Sequence, residues 1–345
     1  KAKFPVILSG AGVVIGDAIE DCKNLAEKLD APVCSGYQHN DSFPGSHPLS
    51  VGPLGYNGSK AAMQLISKAD VVLALGTRLN PFSTLPGYGI DYWPKNASII
   101  QVDMNPDRIG LTKKVTVGIC GDAKLVSQQL LSKLSSDAGS NSREERKNLI
   151  HQTKSAWLQT LSGLDHEDDD PGTVWNKEAR ERDKDRMSPR QAWRAIQSAM
   201  PEDAIISSDI GNNCAIGNAY PTFEKPRKYL APGLFGPCGY GFPSILGAKI
   251  GCPDTPVIGF AGDGAFGISM NEMSSCAREE WPAITMVIFR NYQWGAEKRN
   301  SILWFDDNFV GTELDPELSY AKVADACGLK GITARNMKET TDAIK

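Results

Sequence analysis

Short apolar runs separated by turns or by stretches with helical spacing recur along this 345-residue chain. The first set is PVILS (5–9), PVCSG (32–36), ADVVLALG (69–76), SIIQVD (98–103) and VTVGICG (115–121). The second is AIISSD (204–209), TPVIGFAGDGAF (255–266), PAITMVIFRN (282–291) and GITA (331–334). These runs are apolar at consecutive positions, so both faces of each strand need cover, as in a parallel sheet between helices. Helices are expected around 17–29, from an Asp122 cap to about 134, from Ser188-Pro189 onward, over GFPSILGAKIG, and near 317–327. The prediction is two α/β domains with mostly parallel sheets flanked by helices, joined by a charged linker. The domains are expected at 1–136 and 188–345. The linker, 137–187, mixes acids and bases and suits one or two solvated surface helices.

Composition removes several classes. Lysine and arginine number 37 against 41 aspartates and glutamates, a net charge of −4, which disfavours a general nucleic-acid binder. The 8 cysteines form no C-x-x-C pair and there are only 4 histidines, so a cysteine-rich zinc module is not expected and reduced core thiols are. No apolar run is long enough for a membrane helix, and a cytoplasmic protein is the expectation. The start, KAKFPVILSGAG, and the end, KETTDAIK, read as interior boundaries, so the chain is expected to be a fragment, truncated at its carboxyl end as well.

Two glycine turns need separate weighing. Gly10-Ala11-Gly12 follows a strand, but G-x-G-x-x-G needs glycine where Ile15 stands, and a structural turn is the better reading. Asp30 could face a ribose, and Arg78, after Gly76-Thr77, could meet a phosphate; a helix-end acid and a supporting ion pair are the simpler roles. Gly262-Asp263-Gly264-Ala265 is more specific, because a second strand ends at Arg290-Asn291, 27 residues beyond Gly264. A carboxylate and an amide oxygen presented at two strand ends suit one hard divalent cation such as Mg²⁺. The backbone N–H groups of Gly264 and Ala265 could cradle an anion beside it.

G-D-G-A, Glu272, Pro282 and R-N-Y-Q-W-G together resemble the diphosphate-binding motif of thiamine diphosphate-dependent enzymes. Arg290 stands where that family has the first asparagine of a closing pair. The resemblance implies that Asp263, Asn291 and the Gln293 carbonyl are Mg²⁺ ligands, and that Gly236 and Cys238 lie under the cofactor's thiazolium ring. MSPRQAWRAIQSAMPEDAI, YPTFEKPRKYLAP, FGPCGYGFPSILGAK and FRNYQWGAEKRN narrow it to the branch that acts on sulfoacetaldehyde. That branch implies acyl transfer to inorganic phosphate, giving acetyl phosphate and sulfite, by a homodimer or homotetramer. It also implies a central domain at 1–136 and a diphosphate-binding domain at 188–345, without the family's amino-terminal pyrimidine-binding domain. The activating glutamate lies in that domain, so the chain alone is expected to be inactive. Arg227, Lys228, Arg290, Lys298 and Arg299 are candidates for contacts to the substrate anions, and Glu297 is a substrate-site candidate that could orient a base or a partner lysine. Tyr292 and Trp294 could wall the cleft, and Asn212 or Asn213 could face the diphosphate. His39 and His47 have no clean catalytic spacing, and Ser207-Ser208-Asp209 reads as a strand-end hydrogen-bonding cluster. Acetolactate synthase-like or 2-oxoacid decarboxylase-like chemistry, or a non-catalytic α/β module, are the alternatives.

Overall fold

The structure, a computed structural model, describes residues 2–135, 143–163 and 186–345 apart from Leu234, Glu279 and Asp307. Its described residues fall into two compact units, 2–163 with Pro221–Arg227, and 186–220 with 228–345.

In the first unit six strands make one parallel sheet. They are β1 (Pro5–Ser9), β2 (Val33–Ser35), β3 (Ser50–Pro53), β4 (Val71–Leu75), β5 (Ser98–Asp103) and β6 (Val117–Cys120), in the order β3-β2-β1-β4-β5-β6. Every residue of β1 is buried, as its unbroken apolar run requires. The core holds Ile7, Leu8, Leu25, Ile66 and Leu75 between the sheet and its helices.

The strand order reverses between β1 and β4, where open α/β sheets usually bind ligands. Here that point is closed by backbone. Gly10 N–H donates to the Leu75 carbonyl at 3.1 Å and Gly12 N–H to the Gly76 carbonyl at 2.8 Å. A Cβ on Gly12 would lie 2.7 Å from the Gly76 Cα. The first glycine turn therefore serves close packing, and its N–H groups are engaged.

Asp30 ends the helix Ile19–Leu29 in a left-handed conformation and pairs with Arg143 and Lys147. Arg146 is buried and spreads its fork over three carbonyls, those of Asp30, Lys3 and Leu29, each at 2.9 Å. With Ile150 and Trp157 also buried, the helix Arg143–Gly163 belongs to the first unit. The charged stretch 137–187 thus includes a packed helix; 136–142 and 164–185 lie outside the described residues. Pro221–Arg227 also sits here: Gly45 N–H donates to the Phe223 carbonyl at 2.8 Å, and Ser46 Oγ to Glu224 at 2.6 Å.

Asp122 caps the helix Ala123–Lys133, accepting from the N–H groups of Lys124 and Leu125 at 3.0 and 3.1 Å. Replacing it with alanine leaves both donors without a protein acceptor and lowers stability by about 1 kcal/mol. A denaturant midpoint for Asp122→Ala equal to that of the parent would contradict this.

The second unit has four parallel strands, β7 (Ile205–Ser208), β8 (Tyr229–Leu230), β9 (Val257–Gly262) and β10 (Thr285–Phe289), ordered β10-β9-β7-β8. Its first helix, Pro189–Ala199, opens with a full capping box between Ser188 and Gln191. That helix buries Trp193 against Phe260 and Phe289, with ring centroids at 4.6 and 5.6 Å. The expected strand GITA is irregular instead. Gly331 N–H donates to the Asp325 carboxylate at 2.8 Å, and Ile332 is 49% exposed, too open for an inner strand.

No disulfide joins any of the eight cysteines, all of them described residues; Cys22, Cys34 and Cys214 are buried, while Cys120, Cys238 and Cys252 are exposed. Among the described residues no helix is long and apolar enough to cross a membrane.

Candidate functional site

In the second unit the strand order reverses between β7 and β9, so the crevice at their carboxyl ends is the natural ligand position. The sequence places polar groups there. Beyond β7 come Asp209 and Asn212-Asn213; β9 runs into Gly262-Asp263; β10 ends before Arg290-Asn291.

Asp263 begins a short helix, Asp263–Ser269, pinned by Ala265 and Phe266 in the unit's core. The carboxyl group is buried and accepts from Gly264 N–H at 3.1 Å and Tyr292 N–H at 2.7 Å. Burial pushes its pKa above the ordinary carboxylate range; the two N–H donors and the nearby Arg290 charge oppose that only in part. Neither glycine flanking Asp263 has a positive φ. Gly264 is required for another reason: a Cβ there would lie 2.8 Å from the Trp294 indole.

Asn291 follows one strand beyond. With its amide nitrogen turned inward it donates to the Gln293 carbonyl at 2.9 Å and to Asp263 Oδ1 at 3.1 Å. With its oxygen turned inward, three oxygens from Asp263, Asn291 and Gln293 stand at those same spacings. Adjacent ligands of an octahedral cation with bonds of about 2.0–2.1 Å are separated by √2 times that length, about 2.9 Å. The two edges that meet at Asn291 therefore have the lengths of octahedral oxygen coordination. The set contains one carboxylate, and among the described residues no group of three His, Cys, Asp or Glu side chains could hold a metal.

Further polar groups gather around this corner. A Cβ on Gly295 would come within 2.8 Å of the Asn291 amide and 3.1 Å of that of Asn212. Asn213 is 6% exposed, its carbonyl accepts from Trp193 Nε1 at 3.1 Å, and its buried amide nitrogen has no hydrogen-bond partner among the described residues. A buried donor without an acceptor beside a strand end suits an anionic ligand.

Sequence reasoning understated Asp209. Its fully buried carboxylate accepts from Ile210 N–H at 2.8 Å, Gly239 N–H at 3.1 Å and Gly241 N–H at 2.6 Å. It thereby fixes the turn that carries Gly236, at φ +63°, and Cys238. The Cys238 thiol is exposed, and its pKa is raised by partial burial and by the charges of Asp209 and Glu297. Glu297 thus lies on the Cys238 side of the site, with its own surface exposed.

Among the basic candidates, Arg290, Lys298 and Arg227 point elsewhere. Arg290 Nη2 donates to the Pro316 carbonyl at 2.8 Å, Lys298 pairs with Glu313, and exposed Arg227 sits in the first unit, donating to the Ile15 carbonyl at 3.4 Å. His39 and His47 are likewise residues of the first unit.

Two family models match the chain. The thiamine pyrophosphate enzyme central domain covers residues 1–130, and the thiamine pyrophosphate enzyme C-terminal TPP binding domain covers 209–345. A probable sulfoacetaldehyde acetyltransferase of Rhizobium meliloti is 79% identical over 344 residues, and a sulfoacetaldehyde acetyltransferase of Roseovarius nubinhibens is 73% identical. All of this chain aligns with each, but it spans only 58% and 57% of their lengths. A probable acetolactate synthase large subunit of Methanococcus aeolicus is 28% identical over 349 residues, again over all of this chain and 56% of the relative. With both of its folded units matched in order, the chain belongs to the thiamine pyrophosphate enzyme family.

Proposed function

We propose that this chain is part of a Mg²⁺- and thiamine diphosphate-dependent acetyltransferase that converts sulfoacetaldehyde and inorganic phosphate to acetyl phosphate and sulfite. The observation that carries the cofactor reading is the oxygen corner of Asp263, Asn291 and Gln293, whose 2.9 and 3.1 Å spacings suit Mg²⁺. Identities of 79% and 73% to sulfoacetaldehyde acetyltransferases, against 28% to an acetolactate synthase, support the substrate.

In this reading Asp263, Asn291 and the Gln293 carbonyl would hold the cation, which would neutralise the cofactor's diphosphate. Ala265 N–H and the unpartnered amide of Asn213 would serve the phosphate oxygens, while the Gly264 N–H is held by the Asp263 carboxylate. Asp209 holds the Gly236–Cys238 turn, which would support the cofactor ring when bound. When bound, thiamine diphosphate supplies a stabilised carbanion that no side chain can provide. The overall reaction needs no external oxidant. The aldehyde carbon rises to the acyl level while its neighbour becomes a methyl group, sulfite leaves with the carbon–sulfur pair, and a phosphate oxygen takes the acyl group.

The test is a sulfite-release assay on the full-length protein with sulfoacetaldehyde, Mg²⁺ and thiamine diphosphate. Sulfite and acetyl phosphate should form together and depend on added phosphate. Acetolactate from pyruvate with no sulfite from sulfoacetaldehyde would replace this reading with the synthase one.

A further inference from the structure

Arg290 occupies the position where the family motif has asparagine, and its surroundings are unusual for a surface cation. Its guanidinium carbon lies 4.5 Å from the centroid of Tyr292 and 5.9 Å from that of Tyr320. Its edge donates to the Pro316 carbonyl at 2.8 Å. A second guanidinium, from Arg186, lies 5.4 Å from the Tyr292 ring. Both tyrosines lead to Asp263: Tyr292 N–H donates to Oδ2 at 2.7 Å, and Tyr320 Oη to the backbone carbonyl at 2.9 Å.

Tyr292 also stands between the two other corner residues, with φ +61°, a left-handed conformation that residues with a Cβ rarely adopt. That single left-handed residue turns the chain so that the Gln293 carbonyl comes back to the Asn291 amide, 2.9 Å away. Its own carbonyl accepts from Leu314 N–H at 2.9 Å. A strained turn persists only where its surroundings hold it, and the planar guanidinium of Arg290 braces one ring against its side chain.

We propose that Arg290 is a positioning residue for the metal centre. By gripping Tyr292 in its left-handed turn it keeps the Asn291 amide and Gln293 carbonyl at the spacing a divalent cation takes. This rests on the cofactor reading above. Lysine cannot substitute, since it has neither the planar face nor the fork.

The experiment titrates the full-length protein with Mn²⁺ as a paramagnetic probe, in the presence of thiamine diphosphate, and reads free Mn²⁺ by electron paramagnetic resonance. Arg290→Met removes a positive charge beside a cation site, so charge alone predicts tighter binding; positioning predicts binding about 10- to 100-fold weaker. Arg290→Lys keeps the charge and should weaken binding in the same direction. Tyr292→Gly should bind Mn²⁺ more tightly than Tyr292→Ala, because glycine adopts the left-handed turn freely. A simple ring-packing role would not produce that order. Arg290→Met at or above parental affinity, or Tyr292→Ala matching Tyr292→Gly, overturns the proposal while leaving the cofactor reading intact. Absence of Mn²⁺ binding by the parent protein overturns both.

Discussion

Asp263→Ala abolishes Mg²⁺-dependent retention of thiamine diphosphate. In the proposed site Asp263 is the one charged protein ligand, and the other two are neutral oxygens, from an amide and a carbonyl. Loss of even an outer partner of a metal ligand typically weakens metal binding about 10- to 100-fold, so loss of the carboxylate itself exceeds about 100-fold. The substitution also strips the acceptor from Gly264 N–H and Tyr292 N–H, which loosens the turn between Asn291 and Gln293. Calorimetry of the folded full-length variant with Mg²⁺ and thiamine diphosphate measures this, and unchanged affinity would remove Asp263 from the site.

The same residue gives Mg²⁺ binding a defined pH dependence. Burial raises its folded-state pKa above the unfolded value. Without metal, the folded state holds the proton more tightly, so stability falls as pH rises between those two values. A cation binds only the carboxylate, so a proton competes with it, and Mg²⁺ affinity falls as pH drops through the folded value. In the metal-free protein Asp263→Ala removes this group's contribution to the pH dependence of stability. A parent protein whose Mg²⁺ affinity is flat through the acidic range would show that Asp263 is not the group the metal displaces a proton from.

The sequence made some features readable because their causes are local. Asp122 and Ser188 announce helix starts within three residues of the N–H groups they satisfy. Buried parallel strands announce themselves as unbroken apolar runs, as in β1 and β9. Features with distant causes were opaque. Strand β8 is only Tyr229–Leu230 and exists because Ile206 N–H finds the Lys228 carbonyl at 2.8 Å. Asp209 acts on Gly239 and Gly241, some 30 residues away, so its strand-end position did not reveal which turn it holds. Arg290 was expected to face an anion because spacing gives a position and not a direction. Its direction is set by Tyr320 and the Pro316 carbonyl, which pack against it from later in the chain.

His39 is expected to stay neutral until well below its ordinary range, and to cost the first unit stability on acidification. It lies in the loop after β2, its N–H bonded to the Gly36 carbonyl at 3.0 Å, on the end of the sheet from which Arg78 also emerges beyond β4. Burial disfavours the imidazolium, the Arg78 charge adds repulsion, and together they lower its pKa to about 4. The unfolded chain therefore binds more protons than the folded one between about 4 and 6.5, so stability rises with pH across that window and falls as pH drops through it. A shift of that size corresponds to about 3 kcal/mol at the acidic end. In His39→Gln the unfolding free energy should depend on pH less steeply by that amount, with the two proteins converging above pH 7 apart from any packing difference. Selectively labelled histidine followed by NMR gives the direct reading. One imidazole, absent from the variant's spectrum, should titrate near pH 4. If that resonance instead titrates between 6 and 7, the ring is solvated in the folded protein, and neither burial nor Arg78 controls its charge.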